Sequence, residues 1–124
     1  MNDLEVWTQR AERIVSETLT SLPAPLDERA RSLAISCQSV PEPAWIEEGV
    51  EADTLGLFTG STWEEQRAGA ENLPPLITLF IENLVEFSES SFEIFDEEVR
   101  ITFLHELGHY LGLDEEELAD RGLE

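Results

Sequence analysis

The stretch SSFEIFDEEVRITFLHELGHYLGLDEEEL, residues 90–118, carries the strongest helical pattern in the second half of the chain. Its apolar side chains recur at helical spacing with broad coverage, which predicts a mostly buried helix. Ser90 and Glu93 have the spacing of a capping box at the start, and an acidic run follows them. Gly112 suits the left-handed position that ends a helix. We therefore predict one long core helix between these two signals.

Both histidines of the chain lie late in this helix, in the sequence His105-Glu106-Leu107-Gly108-His109. Positions i and i+4 of a helix share one face, with Cβ atoms roughly 5–6 Å apart. At that separation two imidazoles can converge on one zinc ion at about 2.0–2.1 Å. Glu106 is rotated by one residue, which directs its carboxylate toward a water at the metal rather than toward the metal itself. The spacing predicts His105 and His109 as metal ligands and Glu106 as the catalytic carboxylate.

Chance is the competing interpretation of this motif. A match of His, Glu and His in a chain of this length has a probability of order one in a few hundred at ordinary residue frequencies. The two histidines of the motif are the only two in the sequence, and they fall on a helix with an apolar face. These two facts favour a metal site over an accident.

A catalytic zinc usually has three protein ligands and one open position, so the two histidines need a further ligand. Gly112 and Leu113, the next residues on the same helix face, cannot bind a metal, and the chain has to turn to bring another side chain back. Asp114 and Glu115 follow directly. Asp114 is the better N-cap for a short final helix, because Glu117 stands at cap-box spacing from it. Glu115 is therefore the preferred third ligand and Asp114 the alternative, while a solvated acidic helix start is the competing interpretation of both.

The composition is that of one small, strongly acidic domain spanning residues 1–124, with 41% hydrophobic residues for a single core. Twenty-eight acidic residues against seven basic ones give a formal charge of -21, and every basic residue is an arginine. Such a surface repels phosphate backbones and anionic lipids, so we expect neither nucleic-acid binding nor membrane binding. Solubility is the simplest explanation of the charge, and attraction of a basic partner or a metal cation is the functional one.

Targeting signals are not visible in the sequence. The start, MNDLEVW, is acidic where a signal peptide would be basic, and the apolar run around LITLFI is far short of a membrane span. Cys37 is the single cysteine, so it cannot form an internal disulfide, and its apolar neighbours favour a small core residue. These features suggest a cytoplasmic protein of bacterial type.

The rest of the chain predicts a mixed architecture. A helix is expected from Asp3 to about Ser21, and β-prone runs occupy residues 33–40 and 53–59. Residues 60–75 resemble a long loop or hairpin. The run ITLFIE, residues 77–82, follows a double proline, which favours an edge strand over a central one. We predict an α+β fold in which a small mixed sheet carries the active-site helix, with short helices at both ends.

The segment HELGHYLGLDEE resembles the H-E-x-x-H-x-x-G-x-x-D signature of small bacterial zincin-like metallopeptidases, also called minimal or proto-zincins. The leading amphipathic helix, the segments LGLFTG and ITLFIE and the closing acidic helix are similar to that family in their order. The resemblance covers the chain from about Leu4 and implies a minimal zincin-like fold.

The resemblance also implies roles for individual residues. His105 and His109 would be zinc ligands, Glu106 the catalytic carboxylate and Gly112 the turn. The eleventh position of the signature, usually aspartate, falls on Glu115, and the chain departs from the pattern by placing aspartate one residue earlier. A glutamate in that position has a longer side chain with which to reach the ion.

The function expected from these residues is zinc-dependent hydrolysis of peptide bonds, in which Glu106 acts as general base on a metal-activated water. The strand at residues 77–82 could pair with an extended peptide, although ordinary sheet structure explains that strand as well. The expected partners are an extended peptide or a basic protein segment. Two histidines and a carboxylate suit Zn2+ best, and iron, nickel or cobalt fit the same ligands.

Two other interpretations compete with the enzyme. Only twelve residues follow Gly112, which leaves little chain to form the lower wall of a zincin cleft. A non-catalytic protein that keeps the metal for stability or partner recognition is therefore the main alternative. A metal-free scaffold with an inherited motif is the third possibility.

Overall fold

A long helix packed on a three-stranded sheet organises the molecule, as seen in a computed structural model that describes residues 3–69 and 73–121. The fold is α+β, which confirms the predicted class. In chain order the elements are α1 (Asp3–Thr20), α2 (Leu26–Arg29), a 3₁₀ turn (Ala30–Ser32), β1 (Ala34–Gln38), α3 (Pro43–Glu47), β2 (Gly56–Thr59), α4 (Trp63–Arg67), β3 (Leu76–Phe80), α5 (Ile81–Phe87), α6 (Phe92–Leu111) and α7 (Glu115–Asp120).

Helix α6 forms as the sequence predicts, but it begins one residue later. The side chain of Ser91 accepts a hydrogen bond from the backbone N–H of Ile94 at 3.3 Å and is the N-cap. Ser90, the predicted cap, has a positive φ of 60° and belongs to the preceding turn. The two serines are adjacent and equally suited to capping, so the conformation of the turn after α5 selects between them.

The sheet has the strand order β1-β3-β2, with β3 parallel to β1 and antiparallel to β2. The predicted edge strand at residues 77–82 is therefore wrong: this run supplies the central strand, and its last two residues begin α5. Pro74 and Pro75 precede the strand, so their missing N–H groups remove no bond from the ladder. The carbonyl of Pro75 still accepts from Ala34 N–H at 3.1 Å. Because β3 has a neighbour on each side, it cannot add a peptide.

Part of the predicted loop or hairpin at residues 60–75 is helical, because α4 spans Trp63–Arg67, and residues 70–72 lie outside the described part of the chain. Thr62 is its N-cap and forms a capping box with Glu65. The Thr62 N–H donates to the Glu65 carboxylate at 2.9 Å, and the Thr62 hydroxyl accepts from the Glu65 N–H at 3.2 Å. Hydrogen bonding with Thr62, through its backbone first, lowers the pKa of Glu65. The Thr62-x-x-Glu65 spacing was the available sequence signal for this helix.

The core lies where α1 and α6 pack together over the sheet. Helix α1 spans Asp3–Thr20, close to the predicted range, and buries Ala11 and Val15. Trp7 contacts Phe92 and Phe95 of α6, with ring centroids 4.7 and 4.6 Å apart. The inward residues of α6 are fully buried, namely Phe95, Val99, Phe103 and Leu107. The long helix is therefore held on one side by apolar contacts along its length.

Cys37 was predicted as a small core residue, but it is only partly buried in β1 and packs against the core without belonging to it. Burial, and to a lesser degree the negative charge of Glu12, raise the pKa of its thiol to about 11. The thiol therefore stays protonated at neutral pH.

Within residues 3–69 and 73–121, none of the helices has both the length and the apolar character that crossing a membrane requires.

An ion pair fastens α1 to α6, and it provides a test of the packing. Arg10 binds Asp96 through two hydrogen bonds of 2.6 and 2.8 Å and stacks 4.4 Å from the centre of the Phe92 ring. Arg13 approaches the same carboxylate only to 3.9 Å and is about half exposed. Arg10→Gln should lower the free energy of unfolding by about 1–2 kcal/mol, and the matched Arg13→Gln by less than about 0.5 kcal/mol. Urea denaturation measures both, and equal losses would contradict this arrangement.

Candidate metal centre

The two histidines of α6 converge on one point. Their Nε2 atoms are 3.3 Å apart, and their ring centroids are 4.9 Å apart. Two ligands at about 2.0–2.1 Å from a tetrahedral zinc ion are separated by about 3.3–3.4 Å, so the imidazoles already stand at the required spacing. Both residues are exposed, which leaves the point between the two nitrogens open to solvent. The geometry of His105 and His109 thus fits a zinc ion.

The chain reverses directly after this helical turn. Gly112 adopts a left-handed conformation with φ 73°, and Leu113 N–H donates to the carbonyl of Gly108 at 2.8 Å. These bonds end the helix and confirm the predicted turn. A Cβ on Gly108 would lie 2.9 Å from Leu118 Cδ1 and 3.1 Å from the carbonyl oxygen of Leu113. The absent side chain at Gly108 therefore lets α7 pack against α6 beside the histidines.

The turn brings Glu115 to His105, on the side facing away from His109. Glu115 Oε1 lies 3.4 Å from His105 Nδ1, whereas the Nε2 atom of that ring faces the other imidazole. In this position the carboxylate can orient the ring and hold the proton on Nδ1, which leaves Nε2 free for a metal. The third-ligand role of Glu115 stays a prediction.

Asp114, the alternative ligand, caps α7. Its side chain accepts from Glu117 N–H at 2.8 Å and completes a capping box, which confirms the predicted cap. Across residues 3–69 and 73–121 there is no group of three histidine, cysteine or acidic side chains placed to hold a metal. Among the described residues, the histidine pair therefore forms without a third side chain in a ligand position.

Glu106 lies beneath the first residue of strand β2. A Cβ on Gly56 would stand 3.5 Å from Glu106 Cγ and only 2.6 Å from Thr102 Cγ2. Glycine therefore lets the strand rest directly on α6 at the predicted catalytic carboxylate. Sequence reasoning did not assign Gly56 to the site, although a glycine inside a β-prone run signals a close approach of this kind.

Strand β2 lies at the edge of the sheet and approaches α6 at Glu106. Phe80 N–H donates to the carbonyl of Leu55, and the alternation of an antiparallel ladder then turns the backbone groups of Gly56 and Phe58 outward. The carbonyl of Gly56 accepts from the Thr54 hydroxyl at 3.2 Å. The N–H and carbonyl of Phe58 have no partner in the described part of the chain. An extended chain can therefore pair here.

Tyr110, which directly follows the second histidine, is fully buried. Its hydroxyl donates to the carbonyl of Arg29 at 3.2 Å and lies 3.1 Å from the Ser32 hydroxyl. Its ring packs against Phe58, with centroids 5.8 Å apart. Tyr110 thus anchors the last turn of α6 and does not face the open side of the histidines.

A comparison with known protein families matches residues 30–123 to the zincin-like metallopeptidases. The chain belongs to the zincin-like metallopeptidase family. The matched region contains all three strands and the helix with His105, Glu106 and His109, whereas α1 lies outside it. Zinc is the metal that membership of the zincin-like family implies in general. A search of curated proteins found no match for this chain.

The contact between Glu115 and His105 gives a test of the centre. Glu115→Gln should weaken zinc binding about 10- to 100-fold, because the carboxylate either binds the ion or orients its ligand. Glu116→Gln changes the same charge one residue further on and should leave zinc affinity within about twofold. Competition with a fluorescent zinc chelator measures both. Equal zinc affinities in the two variants would show that Glu115 takes no part in zinc binding.

Asp114 can be tested separately from its capping role. Serine caps a helix about as well as aspartate but offers no carboxylate to a metal. Asp114→Ser should therefore leave the melting temperature and the zinc content close to those of the unmodified protein. A stable variant that has lost its zinc would make Asp114 the third ligand.

Proposed function

We propose that this zincin-like protein is a zinc-dependent peptide hydrolase, with His105 and His109 as zinc ligands and Glu106 as general base. The observation that carries the proposal is the 3.3 Å approach of the two Nε2 atoms on the helix turn that also holds Glu106. Family membership supports the same chemistry at a coarser level. The free edge of β2 adds a place for the substrate beside these groups.

Each residue of the motif has a definite task in this proposal. Zinc, when bound, supplies a Lewis acid for a peptide carbonyl and makes water more acidic. Glu106 takes the proton from the attacking water and delivers it to the leaving amine. Glu115 is proposed as third ligand, with Asp114 as the alternative, and a rotation of the Glu115 side chain away from His105 Nδ1 would precede that role.

Substrate binding is assigned to β2 instead of β3. A peptide in extended conformation would add to the outer edge of β2, using the N–H and carbonyl of Phe58. Gly56 fixes the height of that edge above Glu106, so an added strand would run beside the histidines. Main-chain pairing of this kind holds a peptide in register without selecting its sequence.

The charge of the protein favours a cationic peptide. A net charge of -21 attracts basic segments over distances of about 10 Å at moderate salt and repels nucleic acids. We therefore propose basic, unfolded protein segments as the substrate class. Binding to such segments should weaken as salt concentration rises.

A non-catalytic metal-binding or interaction protein is the second candidate, and one observation favours it. His105 and Glu115 have side-chain exposures of 45% and 76%, so the centre excludes little water. In that case the metal would stabilise the turn between α6 and α7 or bind a partner.

Glu106→Gln tests the hydrolase. The substitution should abolish cleavage of a library of unfolded peptides, because the amide cannot accept the proton of water, and should leave the zinc content unchanged. Glu97→Gln, the same chemical change on the same helix, should retain activity. Mass spectrometry detects the cleavage products, and inductively coupled plasma emission spectrometry measures the number of zinc ions per chain. If the zinc-loaded protein cleaves no peptide at any enzyme concentration, the hydrolase proposal is wrong and the non-catalytic function is supported.

A further inference from the structure

The open face of α6 continues beyond the histidines toward the start of the helix. Glu98 and Ile101 precede His105 by seven and four residues, so all three lie on one helix face. Ile101 is 45% exposed, although its neighbours Thr102 and Phe103 are buried. Glu98 is half-buried and forms no ion pair with any described residue. An apolar surface and an unpaired carboxylate thus stand next to the metal centre.

The orientation of α6 places this face below the free edge of β2. Thr102 and Glu106 are the helix residues that Gly56 approaches. Val99 and Phe103 are fully buried on one side of them, so Ile101 and His105 lie on the opposite, solvent side. A chain added to the outer edge of β2 would lie about 4.8 Å further toward solvent and would pass above that side.

The direction of an added chain follows from the direction of β2. Gly56 lies at the level of Thr102 and Glu106, and Phe58 lies at the level of Tyr110, so β2 and α6 run the same way. A peptide antiparallel to β2 runs from the level of Phe58 back toward Gly56. The side chain that follows the scissile bond would therefore be above Ile101.

We propose that Ile101 and Glu98 form a subsite for the lysine or arginine side chain that directly follows the scissile bond, a refinement that rests on the proposed hydrolase. The methylene stem of such a side chain packs on Ile101, and its cationic end reaches the Glu98 carboxylate one turn further along the helix. Arg100 does not compete for this carboxylate, because it lines the depression between α1 and α6 with Glu97.

Synthetic peptides that carry a hydroxamate in place of the scissile carbonyl test the subsite. Two such peptides differ only in the next side chain, which is lysine or its uncharged analogue norleucine. The zinc-loaded protein should bind the lysine peptide about three- to fivefold more tightly, as expected for an exposed ion pair, and 0.5 M NaCl should reduce the preference. Isothermal titration calorimetry measures both dissociation constants.

Matched variants separate the subsite from the overall charge. Glu98→Gln should abolish the lysine preference, whereas Glu97→Gln, with the same net charge, should retain it. Ile101→Ser should weaken binding of both peptides, and Glu98→Arg should make a glutamate peptide the better ligand. Equal effects of Glu97→Gln and Glu98→Gln, or the absence of a preference in the unmodified protein, would overturn the subsite.

The outcome is distinguishable from failure of the hydrolase itself. Hydroxamate binding requires the metal, and the lysine preference requires the subsite, but neither requires bond cleavage. The preference is therefore measurable in a protein that cleaves nothing. Hydrolysis of a peptide library by the same preparation decides the catalytic proposal separately. A preparation that cleaves peptides without favouring lysine or arginine after the scissile bond would retain the hydrolase and reject the subsite.

Discussion

Burial of α6 against the sheet and α1 is the constraint on which the rest of the site depends. Phe95, Val99, Phe103 and Leu107 are fully buried, and this fixes the rotation of the helix about its own axis. Once that rotation is fixed, His105 and the residues before it on its face have to point to solvent. A metal site on this helix therefore needs no separate support for its direction. The packing that stabilises the protein therefore also exposes His105 and His109 to solvent.

Close backbone contacts then bring the other parts to the helix. Gly56 lets β2 lie on the helix at Glu106, and Gly108 lets α7 pack against its last turn. In both places a methyl group would meet another atom at less than 3.0 Å. Because these two side chains are absent, the edge strand reaches Glu106, and the acidic segment after Gly112 reaches His105. The arrangement of the site therefore depends on Gly56 and Gly108 as much as on its charged residues.

The two acidic residues directly after the turn have different roles: Asp114 caps a helix, and Glu115 contacts a histidine. Asp114 uses its carboxylate to cap α7, so that group is already committed to the backbone. Glu115 makes no such bond and contacts the His105 ring instead. The same division occurs along α6, where Asp96 holds Arg10 while Glu98 remains unpaired among the described residues. Among the described carboxylates on this side of α6, Glu115 and Glu98 thus neither cap a helix nor pair with an arginine.

Local signals in the sequence determined the long helix, the pairing of His105 with His109, the turn at Gly112 and the cap at Asp114. Each of these depends on residues within about one or two helical turns of each other, so spacing alone specifies them. The tertiary structure decided the order of the strands and the side of His105 that Glu115 contacts. The prolines before β3 favour an edge when only neighbouring residues are considered. Its central place results from pairing with β2, 17 to 23 residues away in sequence, and with β1, 42 residues away. Such pairings depend on which apolar surfaces cover one another, and no local pattern contains that information.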